Sequence, residues 1–312
     1  MTAFALCLDR VGDDVLPEQS VLGPLGISAS WPARPRSALE GQLGKADALL
    51  VNVTSVNAAL LDRAPRCRVV VTYGVGYDHI DLDEARRRQI VVANVPDYCT
   101  DEVADHTMAF LLALARQIVA GDKLVRSGGW GVHELGPIRR ISGRTLGLVG
   151  YGRTGRAVAT RAMGFGMRII AYDPQVPWGG EAVTMVTSLT QLLREADFVS
   201  LHAPLQRETA GLIDERALSL MKPGSVLINT SRGGLVDIDA LLQALDRGAL
   251  AGAALDVFPE EPPMAVRVDR PGVLLSPHSA YYSAEAIAEL KRSAAQAAAV
   301  VLTGGIPTHR LA

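Results

Sequence analysis

Three residues in separate loops carry side chains that could act together on a keto acid. Arg232 lies in Asn-Thr-Ser-Arg-Gly-Gly, Glu261 in Asp-Val-Phe-Pro-Glu-Glu, and His278 in Ser-Pro-His-Ser. Each loop directly follows a predicted strand, and ligands of open α/β sheets bind outside the carboxyl ends of the strands. A guanidinium binds a carboxylate, and an imidazole beside a carboxylate transfers protons. Taken singly, each is more simply a solvated loop residue, whereas together they form the set that keto-acid chemistry needs.

A glycine-rich loop stands between a predicted strand and a predicted helix. Gly150, Gly152 and Gly155 form the pattern G-x-G-x-x-G, in which glycines permit the tight turn, backbone approach to a pyrophosphate and close helix packing. Asp173 ends the next predicted strand, 18 residues beyond Gly155, where its carboxylate would bind the adenosine ribose and repel a 2′-phosphate. The pattern predicts a dinucleotide site that prefers NAD to NADP. The alternative for Asp173 is a surface turn residue before Pro174.

Short apolar, β-branched runs alternate with helical patterns along nearly the whole chain, which predicts a doubly wound α/β architecture. Most of these runs lack period-2 alternation, as expected of parallel strands covered on both faces. Residues Asp101–Ser127 predict one unusually long amphipathic helix, and a new strand–loop–helix unit begins at Thr145. A domain crossing is therefore expected near residue 98.

Composition narrows the class of protein. Of 312 residues, 48% are hydrophobic and 21% charged, and the net charge of −2 offers no basic field for nucleic acid or anionic lipid. The three cysteines are too few for a disulfide framework, and the segment MTAFALCLDR looks like a first strand and not a leader. We expect a cytoplasmic protein without a membrane span, a nucleic-acid partner or a metal site.

The ordered motifs resemble those of the D-isomer-specific 2-hydroxyacid dehydrogenases over essentially the whole chain. The motifs Ala-Tyr-Tyr-Ser after His278 and Pro-Ile-Arg-Arg at residues 137–140 are most similar to the C-terminal-binding-protein branch and its bacterial relatives, although Tyr281 stands where that branch commonly has Trp. The segments that carry the family resemblance are Gly-Val-Gly-Tyr-Asp-His-Ile-Asp at 74–81, Asn-Val-Pro at 94–96, Ala-Asp-His-Thr at 104–107, the glycine loop, Leu-His-Ala-Pro at 201–204, Asn-Thr-Ser-Arg-Gly-Gly at 229–234, Asp-Val-Phe-Pro-Glu-Glu-Pro at 256–262 and Pro-His at 277–278.

The resemblance implies two α/β domains. A Rossmann NAD-binding domain, residues 98–280, would be inserted into a flavodoxin-like substrate domain, residues 1–97 plus 281–312. His278 would be the general acid in keto-acid reduction and the general base in the reverse reaction, with Glu261 orienting its imidazole. Arg232 would bind the substrate carboxylate and polarise the carbonyl, and the N–H groups of Val75 and Gly76 would complete the carboxylate site.

The resemblance also implies NAD as cofactor and a homodimer formed largely through the helical region 101–127. Asp256 would meet the nicotinamide carboxamide. A pocket wall is expected from Val53–Val56, Tyr73–Tyr77, Tyr98, Trp130 and Tyr281–Tyr282. The implied NAD contacts, besides Gly150, Gly152 and Gly155, are Thr107, Arg153, Thr154, Asp173, His202, Ala203, Pro204, Thr209, Thr230, Ser231, Arg232, Asp256, His278 and Ala280.

Two alternatives stay open on the same scaffold. The first is a 3-phosphoglycerate dehydrogenase or a glyoxylate/hydroxypyruvate reductase; a substrate phosphate would need extra cations, for which Arg63, Arg66 and Arg68 are the candidates. The second is an NAD-sensing interaction module with little turnover, as in the C-terminal-binding proteins. The identity of the 2-hydroxy or 2-keto acid does not follow from the residues.

Overall fold

In a computed structural model of the chain, residues 2–32, 36–135, 138–263, 270 and 272–312 are described. Pro137, the first residue of the Pro-Ile-Arg-Arg motif, lies outside the described residues. The chain divides into two compact units, one of residues 1–99 and 282–312 and the other of residues 100–281. The expected boundaries, 97/98 and 280/281, lie within two residues of this division.

The first unit is built on a five-stranded parallel sheet in the order β2-β1-β3-β4-β5, which is the flavodoxin-like order. Both faces of the sheet are covered: Ala48 and Leu50 of β3 pack into one apolar cluster, and Leu49 and Val51 into another. This explains why the strand reads as a continuous apolar run. The elements, numbered along the whole chain, are β1 Phe4–Cys7, α1 Leu16–Leu22, β2 Ser28–Ser30, α2 Arg36–Leu43, β3 Ala48–Val51, α3 Ala58–Asp62, β4 Val69–Thr72, α4 Leu82–Arg87, β5 Val91–Ala93 and α11 Ala284–Leu302.

The C-terminal part of the chain completes this first unit. Helix α11 packs along α1, and its Lys291 is buried with its Nζ 3.6 Å from the buried carboxylate of Glu18. The Tyr73 hydroxyl donates to the same carboxylate at 2.6 Å, so α1, α11 and the end of β4 share one buried polar cluster. The last residues pair with β5, where Leu311 N–H donates to the Val92 carbonyl at 2.7 Å.

The second unit contains a seven-stranded parallel sheet in the order β12-β11-β10-β9-β6-β7-β8. Strand order reverses at β6, as in dinucleotide-binding folds. The prediction of two doubly wound parallel-sheet domains, one Rossmann and one flavodoxin-like, is confirmed. The elements are α5 Thr100–Ala115, α6 Ile118–Arg126, β6 Thr145–Val149, α7 Arg153–Gly164, β7 Arg168–Tyr172, β8 Val183–Met185, α8 Leu189–Glu195, β9 Phe198–Leu201, α9 Glu215–Leu220, β10 Ser225–Asn229, α10 Ile238–Asp246, β11 Leu250–Leu255 and β12 Val273–Leu275.

The prediction of a single long helix over 101–127 is wrong. Helix α5 ends at Ala115, and Gln117, with φ +51°, adopts the left-handed conformation before α6 begins. A left-handed residue cannot continue a right-handed helix, so the chain changes direction there. None of the nine described residues of α6 is buried. Among the described residues, no helix is both long and apolar enough to cross a bilayer.

Candidate active site

The register of the seven-stranded sheet places the candidate loops of the second unit side by side. Across the parallel ladder, the last residues of adjacent strands pair with one another, so the residues that follow them share one edge. This is the carboxyl edge, where ligands of such sheets bind. The residues that follow the paired strand ends are Gly150, Asp173, His202, Thr230, Asp256 and Ser276.

The three glycines of the glycine loop have different surroundings. Gly150 has φ +95°, and an added Cβ would lie 2.7 Å from the Ala203 nitrogen, whereas a Cβ on Gly155 would lie 2.4 Å from the Gly150 carbonyl oxygen. Both positions are closed by the protein's own backbone. At Gly152, the N-cap of α7, an added Cβ would meet no described heavy atom within 4 Å. Gly152 therefore leaves open space at a helix N-terminus, which is where a pyrophosphate would fit.

Asp173 ties the end of β7 to the glycine loop. Its Oδ2 accepts the Tyr151 N–H at 2.9 Å, and its Oδ1 accepts the Gln175 N–H at 2.9 Å. The carboxylate is thereby oriented beside the loop, as the ribose-binding acid of a dinucleotide site must be. Arg153 and Thr154 begin α7 directly after Gly152. The donor and acceptor set of this loop fits a dinucleotide.

The loop after β9 is held by its own polar groups. His202 Nε2 lies 2.9 Å from the Ser200 hydroxyl, and burial lowers the pKa of His202 to about 4, so the imidazole is neutral near pH 7. The Thr209 hydroxyl donates to the Pro204 carbonyl at 2.7 Å and accepts the Gln206 N–H at 2.8 Å. The structure thus gives Thr209 a loop-closing role that the sequence did not predict.

The segment that carries Arg232 is fixed by its neighbours on both sides. Asn229 Nδ2 donates to the Arg232 carbonyl at 2.8 Å, and the Ser231 hydroxyl donates to the Ala203 carbonyl at 2.6 Å. The Thr230 hydroxyl lies 2.8 Å from that of Thr107 on α5. The Arg232 guanidinium donates from Nη1 to the Ser231 carbonyl at 2.8 Å. These contacts fix the conformation of the backbone that carries Arg232.

Gly233 brings the Arg232 loop against the loop after β11. An added Cβ on Gly233 would lie 1.9 Å from the Phe258 carbonyl carbon and 2.4 Å from the Pro259 nitrogen. The close approach at Gly233 is therefore an approach to protein backbone. The same β11 loop carries Glu261, so this contact sets the separation of the two loops.

His278 and Glu261 form a hydrogen-bonded pair. His278 Nδ1 lies 2.6 Å from Glu261 Oε2, and Glu261 Oε1 accepts the Phe258 N–H at 2.9 Å. The two side chains are 43% and 36% exposed, so the pair is open to a ligand. Because a carboxylate can only accept, Nδ1 carries the proton in this contact. Among the described residues, Nε2 has no hydrogen-bond partner and is left to exchange a proton.

The backbone at His278 is held in an unusual conformation by Asp256. His278 has φ +51°, and its N–H donates to the Asp256 carbonyl at 2.8 Å. The Asp256 carboxylate, only 1% exposed, accepts the N–H groups of Ser279 at 2.8 Å and Ala280 at 3.0 Å. The sequence interpretation gave Asp256 a cofactor contact, and the structure adds a loop-anchoring role that sequence reasoning missed.

In the first unit, all three carbonyl groups of the loop of residues 74–76 accept hydrogen bonds. The Gly74 carbonyl accepts the Val95 N–H at 3.0 Å, and the Val75 carbonyl accepts from Asn94 Nδ2 at 2.8 Å. The Thr72 hydroxyl donates to the Gly76 carbonyl at 3.3 Å. Among the described residues, the N–H groups of Val75 and Gly76 have no acceptor. Adjacent unoccupied N–H groups suit an anion.

A second loop of the first unit, residues 52–54, is anchored by Asp9. Its Oδ2 accepts the N–H groups of Asn52, Val53 and Thr54 at 2.6 to 2.9 Å, and the Thr54 hydroxyl donates to Oδ1 at 2.6 Å. Burial alone would raise the pKa of Asp9, but the hydrogen bonds from Thr54, Asn52 and Val53 together lower it. Asp9 thus holds part of the expected pocket wall.

Comparison with known proteins places these features in a family. The family model described as D-isomer specific 2-hydroxyacid dehydrogenase, NAD binding domain, matches residues 108–280. A glyoxylate reductase from Thermococcus litoralis is 46% identical over 83% of this chain and 82% of its own length. A crystal structure of D-lactate dehydrogenase from Aquifex aeolicus with NAD and lactic acid has a TM-score of 0.87 and 30% identity over 98% of both chains. An acyclic imino acid reductase with NADPH and D-Arg has a TM-score of 0.88 and 28% identity over 99% of this chain and 100% of its own.

These matches agree with the geometry of the second unit. The family's NAD-binding domain spans the glycine loop, Asp173 and the segments that carry Arg232, Glu261 and His278. The expectations of an NAD-dependent enzyme and of 2-hydroxyacid dehydrogenase chemistry are confirmed. This chain belongs to the D-isomer specific 2-hydroxyacid dehydrogenase family and is an NAD-linked oxidoreductase of 2-hydroxy and 2-keto acids.

Proposed function

We propose that the enzyme reduces a short 2-keto acid with NADH, and that glyoxylate is the first substrate to test. The observation that carries the proposal is the His278–Glu261 pair, with Nδ1 on the carboxylate at 2.6 Å and Nε2 available. The names of the relatives at 41% to 46% identity, glyoxylate reductases, support the choice of substrate.

We assign the proton transfer to His278. When bound, NADH would supply the hydride for C2 of the keto acid. His278 then donates the Nε2 proton to the keto oxygen, and in the reverse direction Nε2 removes the hydroxyl proton. Glu261 holds the ring by Nδ1 and so directs Nε2. Because Phe258 N–H occupies the other carboxylate oxygen, Glu261 cannot rotate away without losing a hydrogen bond.

We assign the binding of the substrate carboxylate to Arg232 and to the loop of residues 74–76. The Arg232 guanidinium binds the substrate carboxylate and stabilises negative charge that develops on the keto oxygen. As the family resemblance implies, the N–H groups of Val75 and Gly76 would bind a substrate carboxylate. Gly152 and the N-terminus of α7 would hold the pyrophosphate, and Asp173 would bind the adenosine ribose. The remaining predicted NAD contacts are proposed with the same roles that the family resemblance implies.

The experiment that tests the proposal is an NADH-oxidation assay with glyoxylate, hydroxypyruvate, pyruvate and 3-phosphohydroxypyruvate. His278→Ala is expected to abolish turnover while NADH binding, followed by fluorescence, is retained. An unchanged kcat in this variant would contradict the role of His278. Tight NADH binding without turnover of any acid by the native chain would favour the NAD-sensing alternative. A kcat/KM that favours NADPH would contradict the role of Asp173.

The contacts of the arginines that were candidates for a phosphate site argue against a phosphorylated substrate. Arg63 forms an ion pair with Glu40, and Arg66 Nη2 lies 2.8 Å from Asp47 Oδ1. Arg68 donates to two carbonyl groups at the end of α11. These cations already have partners within their own unit, so 3-phosphohydroxypyruvate is expected to be the poorest acid of the panel.

The homodimer is likewise a proposal, and α6 supports it. Ile118, Val119 and Val125 of this helix are 40% to 60% exposed, and the nearby Trp130 and Val132 are 85% and 71% exposed. Apolar side chains concentrated on an unburied helix mark an interaction surface. A second copy of the chain would cover them, and light scattering of the native chain and of Val125→Asp tests this. A native monomer would contradict the proposal.

A cytoplasmic location is proposed from the cysteines. Cys7, Cys67 and Cys99 all lie among the described residues, are buried and form no disulfide. This is the usual state of cysteines in a reducing compartment. Fractionation of the native host and thiol labelling after unfolding would test it; oxidised cysteines in the native chain would count against it.

A further inference from the structure

Asp256 is the centre of a hydrogen-bond network beneath the loop that carries His278. Besides the N–H groups of Ser279 and Ala280, its carboxylate accepts the Ser276 hydroxyl in a short contact. A fully buried carboxylate needs several donors to offset the loss of hydration. The three donors all come from the segment 276–280, so the carboxylate and the loop fix each other.

His106 of α5 extends this network. Its Nε2 lies 2.9 Å from the Ser276 hydroxyl oxygen and 3.9 Å from Asp256 Oδ1. The serine has one hydroxyl proton, and it is directed to the carboxylate, which can only accept. The serine oxygen must therefore accept from His106, so the imidazole carries its proton on Nε2. This tautomer is dictated by the neighbours of the ring.

The His106 ring is itself immobilised. It packs edge to face on Phe110, one helical turn along α5, with 4.5 Å between the ring centroids. The next residue, Thr107, contacts Thr230 in the segment that precedes Arg232. His106 and Thr107, consecutive residues of α5, thus contact the two loops that carry His278 and Arg232.

We propose that His106 is a positioning residue for proton transfer: its Nε2–H fixes the Ser276 hydroxyl on Asp256 and so holds the backbone that presents His278. The inference rests on the proposed function, since it assigns His106 to the same reaction. His106 does not exchange the substrate proton, because its Nε2–H is committed to Ser276. His106 affects the rate only by holding the loop that carries His278.

The test compares variants that remove or keep the N–H donor. His106→Leu removes it, and His106→Gln supplies an amide N–H at similar reach. Asp105→Asn, on the same helix, is the matched control, because it removes an exposed ion pair with Arg161 and leaves the network intact. His106→Leu is expected to lower kcat about 10- to 100-fold with KM for the keto acid changed less than about threefold, since small misplacement of a catalytic group has effects of this size. His106→Gln should recover most of the loss.

A double-variant cycle identifies the route. Ser276→Ala should lower kcat by a similar factor, and combining it with His106→Leu should add little, because both remove the same chain of hydrogen bonds. Ser276→Thr, which keeps the hydroxyl, should behave like the native chain. Multiplicative effects of the two losses would overturn the proposed route.

An NMR measurement decides the inference without turnover. The His278 Nδ1–H held by Glu261 gives a low-field proton signal, and 15N shifts report the tautomer of His106. The signal should persist in Asp105→Asn and His106→Gln and weaken in His106→Leu. An Nδ1–H tautomer of His106, or an unchanged His278 signal with native kcat in His106→Leu, would overturn the inference. Lack of keto-acid turnover by the native chain with the expected NMR result would instead contradict the proposed function alone.

Discussion

The contact between Gly233 and the backbone of Phe258 sets the separation of the loops that carry Arg232 and Glu261. A methyl group at Gly233 would lie 1.9 Å from the Phe258 carbonyl carbon and 2.2 Å from its oxygen. Both are backbone atoms that no side-chain rotation can move. Gly233→Ala must therefore push the Arg232 loop and the β11 loop apart.

The size of the displacement follows from ordinary carbon–carbon contact distances. Separation to van der Waals contact requires a shift of about 1.5 to 2 Å. Arg232 precedes the substituted residue, and Glu261 follows Phe258 by three positions, so the shift acts on both sides of the site. A misplacement of about 1 Å can cost about 100-fold in rate, so kcat should fall by at least that factor. Overpacking of this kind should also reduce the free energy of unfolding by about 1 to 3 kcal/mol.

Gly234→Ala is the matched control for this substitution. Its Cβ would lie 3.0 Å from Leu205 Cδ2, the far end of a flexible side chain that can adjust. The assay measures kcat with the best keto acid at saturating NADH, and urea unfolding for both variants. Native kcat in Gly233→Ala would refute the claim that this contact sets the spacing of the two loops. Equal losses in both variants would show that any methyl group in this turn is harmful.

Three further predictions concern binding and pH. Gly152→Ala should keep native stability, because its Cβ meets open space, but should raise the Kd for NADH severalfold by titration; unchanged affinity would contradict its place at the pyrophosphate. Asp9→Asn should lower the free energy of unfolding by about 1 to 3 kcal/mol at pH 7. Since the pKa of Asp9 is lowered in the folded state, this difference should be fully present above about pH 4 and should be lost progressively as the pH falls through the lower pKa of the folded state; a pH-independent difference would refute it. The native chain should lose stability as the pH falls from about 6.5 toward 4, because the unfolded state binds a proton that folded His202, with a pKa of about 4, does not; His202→Gln should show a shallower loss in urea melts, and an identical slope would count against it.

The sequence predicted those parts of the fold that have strong local signals. Apolar strands such as β3 and β6 could be recognised because both of their faces are buried. The glycine loop could be recognised because its spacing is fixed by the turn, the ligand and the helix. Strand ends then located Arg232, Glu261 and His278, since parallel strands bring the loops that follow them to one edge.

The elements that sequence reasoning missed have weak local signals. Strand β2 is Ser-Ala-Ser and has no β-branched residue, and β8 is three residues long. Both are edge strands that form because a neighbouring strand is available for pairing. The break after α5 occurs at Gln117, which adopts the left-handed conformation without the usual glycine or asparagine signal.

The two carboxylates near His278 show which roles could be predicted from the sequence and which could not. Glu261 and Asp256 both follow β11. The family resemblance implied that Glu261 orients the imidazole and that Asp256 meets the nicotinamide carboxamide, but it implied no role for Asp256 in holding the loop. In the structure, Glu261 is 36% exposed and accepts from the imidazole, whereas Asp256 is 1% exposed and accepts from the backbone beyond the imidazole. Glu261 therefore orients the imidazole of His278, and Asp256 holds the backbone beyond it. The anchoring role of Asp256 depends on its burial and on the left-handed turn at His278, and both arise from contacts with distant parts of the chain.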